Sequence, residues 1–111
     1  MEAACEIAVR RYFRRDADVR EITAFVSEFR ARIHSTKPPG QLEAEALVRM
    51  ALGDPDVVVD DISFTDTFNT QAGVTLLVIL KLGLDSPEVR QLVIDGERLA
   101  FRRGWNPPLY T

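Results

Sequence analysis

The run Ala72-Gly73-Val74-Thr75-Leu76-Leu77-Val78-Ile79-Leu80-Lys81-Leu82-Gly83-Leu84 is the longest apolar stretch of this 111-residue chain. Its reading decides the fold. From Val74 to Leu80 it is hydrophobic on every side, which fits a central helix or a buried strand, and periodicity does not separate the two. The flanks favour a helix. Ser63-Phe64-Thr65-Asp66 after Ile62 has capping-box form, a hydroxyl followed three residues on by an acid. Lys81-Leu82-Gly83-Leu84 has the form of a glycine-terminated helix end. The expectation is therefore a helix over about 66–82; a short buried strand at 74–80 in an α+β fold is the alternative.

Outward from this run the chain reads as helix after helix. Towards the C-terminus, Ser86 as cap and Pro87 in the first turn open a helix that continues to about Arg103 and stops at Gly104. Val89, Leu92, Val93, Leu99 and Phe101 supply its apolar contacts, and Gly96 inside it points to a close helix approach. Towards the N-terminus, Gln41 to Leu52 places Leu42, Ala46, Leu47 and Met50 on one side, with acids in its first turns and Arg49 near its end, as the helix dipole favours. Gly53 and Asp54-Pro55 then mark a turn. The clearest helix is about Val19 to His34, where Val19, Ile22, Phe25, Val26, Phe29 and Ile33 form one stripe. Pro38-Pro39-Gly40 forbids its continuation. The first helix, about Glu2 to Arg15, carries Cys5, Ala8, Val9, Tyr12 and Phe13 on one side and Arg10, Arg11, Arg14 and Arg15 on another. Asp18-Val19-Arg20-Glu21 closes the gap with capping-box form. Val57-Val58-Val59 is β-branched and is a candidate for a short extended piece.

Composition narrows the function. A single Cys excludes an intrachain disulfide and a multi-cysteine zinc site, and a single His excludes most histidine-based metal and triad sites. A net charge of −3 argues against a dedicated nucleic-acid or anionic-membrane binder. The acidity sits in residues 50–85, net −5, while 1–49 and 86–111 are each net +1. Separate acidic and basic regions suit electrostatic recruitment or self-association. Arginine outnumbers lysine twelve to two, a bias associated with high-GC bacterial genomes. The start, with Glu2 first and arginines from Arg10, lacks secretory-signal form, and the 13-residue apolar run is short of a membrane span, so a cytoplasmic setting is expected.

Each candidate site weighs a chemical reading against a plain one. Asp54, Asp56, Asp60 and Asp61 resemble a calcium loop, but the sixth and twelfth positions hold Val59 and Thr65 where glycine and glutamate are needed, so a solvated acidic loop is expected. Cys5 lies on the apolar side of its helix and reads as a packed thiol, and His34 as a helix-end cation. Glu43 and Glu45 diverge by ~200° on a helix and cannot share a substrate. The arginine patch Arg10, Arg11, Arg14 and Arg15 reads first as a solvated face with partners such as Asp16 and Glu6, second as a protein-partner surface, and third as a phosphate contact to nucleic acid. Trp105 and Tyr110, in Trp105-Asn106-Pro107-Pro108-Leu109-Tyr110, either cover the core or anchor a partner. The pair at 74–103 has helix-turn-helix proportions, although its first helix is too apolar to face DNA.

The expected fold is an all-α, compact orthogonal bundle of about five helices, a single helical domain over 1–111, with the apolar fourth helix as hub between the second and fifth. So small a chain only just surrounds a helix that is apolar all round. Part of the fourth or fifth helix, or the aromatic tail, is therefore expected to meet another protein or a second copy. The functional expectation is a non-catalytic protein–protein interaction module (adaptor, regulatory or assembly subunit), able to self-associate. The alternative is a DNA-binding regulator using 74–103. No enzyme chemistry, cofactor, metal or membrane contact is expected, and the partner-binding candidates are Arg10, Arg11, Arg14, Arg15, Trp105 and Tyr110.

Overall fold

The computed structural model describes residues 1–13, 17–33, 38–57 and 63–104. These form five helices, α1 (Glu2–Tyr12), α2 (Val19–Arg32), α3 (Gln41–Ala51), α4 (Phe64–Leu82) and α5 (Ser86–Arg102), with no strand among the described residues. The fold is all-α, and the 74–80 run is helical. Val58 and Val59 lie outside the described residues.

Local chemistry sets the helix ends. Asp18 caps α2 through its carboxylate on Arg20 N, and Ser63 caps α4 by accepting from Asp66 N at 3.0 Å. The cap of α5 is Asp85, one residue before the expected Ser86. Asp85 accepts from Glu88 N at 2.9 Å while Glu88 accepts from Asp85 N at 3.3 Å, a full capping box with Pro87 just inside. The carboxylate pair satisfies two orphan N–H groups at once, which a serine cap at 86 does not. Gly83 ends α4 in the left-handed region at φ 63°, a conformation costly for residues with a Cβ.

One apolar core draws on all five helices: Cys5, Ala8, Val9 and Phe13; Ile22, Phe25, Val26 and Phe29; Ala44 and Val48; Val74, Leu77 and Val78; and Leu92. The hub differs from expectation. α1 packs against α3, α4 and α5, whereas α4 and α5 hardly meet each other. The reason is size. Ala8 and Val9 are wholly buried and let three neighbours approach one short helix. At Gly96, a Cβ would stand 3.0 Å from the Ala4 Cα, so α5 crosses α1 at the close approach anticipated for that glycine. The buried face of α3 is also rotated from the expected one. It carries Ala44, Leu47 and Val48, while Leu42 is exposed, because α3 lies between α2 and α1 and turns its small residues towards both.

Candidate functional site

α4 buries one arc and leaves the opposite one uncovered. Thr70, Gln71, Val74, Thr75, Leu77 and Val78 face inward, and the Thr75 hydroxyl donates to the Gln71 carbonyl at 2.7 Å, which removes its need for another partner. On the outer arc Phe64, Phe68, Leu76 and Leu80 are 85%, 43%, 60% and 67% exposed, with half-buried Ala72 between them. Positions 64, 68, 72, 76 and 80 are four apart, so they form a single ridge of the helix surface. The Phe64 and Phe68 rings stack with centroids 6.4 Å apart. The helix has two charged residues, Asp66 and Lys81, and both lie off this ridge. Lys81 turns to α2, with its Nζ 2.7 Å from the Glu28 carboxylate and 6.0 Å from the centre of the Tyr12 ring. The Lys81 hydrogen bond holds the Glu28 carboxyl below its ordinary range, and Glu28 in turn raises Lys81. The outer arc is thus uncharged over four turns, with exposed Thr65 and Asn69 as its polar members beside the apolar ridge.

The arginines of α1 are organised by carboxylates. Glu6 is buried and receives Arg10 at 2.9 Å and a two-pronged contact from Arg103 at 2.5 and 3.0 Å. Arg10 also donates to the Ala51 carbonyl at 3.1 Å, which ties α1 to the C-terminal end of α3, where a cation is favoured. Arg11 reaches Asp95 of α5 at 2.6 Å, and Gln91 steadies the other oxygen of that carboxylate. Glu6 is the partner anticipated for this patch; Asp95 and Arg103 were not visible in the sequence. Arg14, Arg15, Trp105 and Tyr110 lie outside the described residues, as do Asp16 and His34.

Other candidates resolve into local chemistry. Cys5 is 2% exposed, and burial pushes its thiol up to about 11, so the nucleophilic thiolate is suppressed. Asp54 accepts from Asp56 N and from Arg49, and these two contacts, the backbone one first, hold its carboxyl below the ordinary range. Asp60 and Asp61 lie outside the described residues. Glu45 accepts from Thr23 of α2, while Glu43 turns back over Gly40. A groove of about 700 Å³ runs between α1, α2 and the α3 turn, but its two cations, Arg10 and Arg49, are already paired. Among the described residues no three His, Cys, Asp or Glu side chains converge as a metal site would require, and no helix is long and apolar enough to cross a membrane. The 74–103 pair turns at Gly83, and each of its helices packs on α1.

No protein-family model matches the chain, and no curated protein or solved structure is significantly similar to it. The sequence marked Val74–Leu80 as over-apolar but missed Phe64 and Phe68 as part of the same surface. Their i, i+4 spacing with Ala72, Leu76 and Leu80 was the available signal.

Proposed function

We propose that this chain is a non-catalytic helical module for protein–protein interaction, an adaptor, regulatory or assembly subunit, and that its contact surface is the outer ridge of α4. The observation that carries this is the exposure of Leu76 and Leu80, at 60% and 67%, on an arc without charge. Burying a leucine or phenylalanine side chain fully is worth ~1.5–3 kcal/mol, and this ridge leaves most of that unrealised in the single chain. Contiguous exposed apolar surface rimmed by polar groups is the usual mark of a contact site. The reading assigns no cofactor, metal or nucleic acid to the chain. It places the protein in a cytoplasmic, reducing setting, where the lone packed thiol of Cys5 needs no partner.

The test compares the wild-type chain with the double variant Leu76→Glu and Leu80→Glu by in-cell cross-linking and light scattering. Complexes of the wild type should disappear in the variant while its helical circular dichroism is unchanged. An identical set of complexes in both proteins removes the ridge as the contact surface. Binding of duplex DNA at low salt, weakening steeply as salt rises, would favour the regulator reading instead.

A further inference from the structure

We infer that the occupant of this ridge is a second copy of the same chain, docked antiparallel about a two-fold axis beside Ala72. The inference rests on the reading of the α4 ridge as a contact surface. Along the ridge the side chains run large, large, small, large, large: Phe64, Phe68, Ala72, Leu76, Leu80. That order is symmetric about Ala72. A two-fold axis there sets Phe68 of one copy against Leu76 of the other, brings Phe64 to Leu80 at each end, and leaves the two Ala72 residues facing one another. Ridges of this i±4 kind interlock with each other at about −50°, the commonest crossing of packed helices, and a small residue at the crossing permits close approach.

Charge and area point the same way. The ridge has no ionised group, so an identical face covers it without desolvating one. Lys81, the nearest cation, is already committed to Glu28. A charged partner surface would lose hydration here and find nothing to pair with. At roughly 200 Å² for a fully exposed residue of this size, the four large residues expose about 500 Å² per copy, and Thr65, Asn69 and Ala72 add to it, so full cover of both copies would reach the roughly 1,000–1,200 Å² at which specific interfaces begin.

The experiment measures the mass of the full chain by light scattering up to ~100 µM, a range that populates a dimer of micromolar or tighter affinity. The wild type should run at twice the chain mass, and Leu76→Glu with Leu80→Glu at the single mass with unchanged circular dichroism. Ala72→Cys should oxidise to a linked dimer, because only a residue beside the axis brings its own counterpart within the 4.4–6.8 Å Cα separation of a disulfide. Thr65→Cys, two turns away, should stay reduced, and buried Cys5 does not compete. A wild type at the single mass throughout, a dimer that survives the double glutamate variant, or a dimer in which Ala72→Cys stays reduced each overturns the inference. A monomeric wild type whose cross-links to a different protein vanish in the glutamate variant rejects the second copy and leaves the contact surface standing; a wild type with neither self-association nor cross-links rejects both.

Discussion

Gly96 shows how a single residue constrains a small bundle. In an exposed helix a change from glycine to alanine gains ~1 kcal/mol. At Gly96 the new Cβ would lie 3.0 Å from the Ala4 Cα and 3.1 Å from its nitrogen, backbone atoms that move only if α1 moves. Overpacking of this kind costs ~1–3 kcal/mol, so Gly96→Ala should lower the urea midpoint despite the propensity gain. Gly73 repeats the pattern between α4 and α2, where a Cβ would overlap the ring of buried Phe29. Glu6 is the polar counterpart. Its buried carboxylate joins Arg10 and Arg103, but both guanidinium groups are about half exposed and rehydrate when the anion is removed, so Glu6→Ala should lower the urea midpoint only slightly. Cys5, 2% exposed, should react with a thiol reagent at pH 8 far more slowly in the folded chain than in urea.

Helix termini and the contacts between helices test the next level. Asp85→Ala removes the carboxylate that caps α5 and should cost ~1 kcal/mol, whereas Ser86→Ala, at the neighbouring position that the sequence favours as cap, should be nearly neutral in the same denaturation series. The Glu28–Lys81 pair joins α2 to α4 and carries a pH signature. Glu28 has its folded carboxyl lowered, so its contribution is present above the ordinary carboxylate range and is lost as pH falls through the lowered value. Lys81 is raised, so its contribution is present below the ordinary lysine value and is lost as pH rises through the raised one. Glu28→Gln should therefore weaken the protein at pH 7, and the difference should shrink as pH falls below the ordinary carboxylate range. High salt should shrink the effect, because both groups are solvent-accessible.

Across the molecule, the centre of the structure is its first helix rather than its most apolar one. α1 is 11 residues long, yet α3, α4 and α5 all rest on it. Val9→Ala opens a void at a fully buried position and should cost about 2 kcal/mol, while Leu76→Ala on the outer ridge of α4 should stay within ~0.5 kcal/mol for the monomer. The contrast, read as urea midpoints at a concentration low enough to keep chains apart, separates core from contact surface. Hydropathy ranks these two helices the other way, because it records how apolar a segment is and says nothing of how many neighbours its shape admits. Small side chains at Ala4, Ala8 and Gly96 decide that, and they contribute little to any hydrophobic average.

Much of the architecture is local and was legible in the residue order. Capping oxygens at Asp18 and Ser63, the Gly83 stop and the apolar stripe of α2 act over short stretches of chain, so they declare α2 and α4 before any packing. The apolar excess of α4 is legible in the same way. Which of its sides stays uncovered is not, since that depends on where α1 lies against it. Nor are the ion pairs Arg11–Asp95 and Arg103–Glu6, whose partners are 84 and 97 positions apart. No periodicity encodes such pairs: they exist because the core packs α5 across α1, and the charges then take the nearest opposite neighbour.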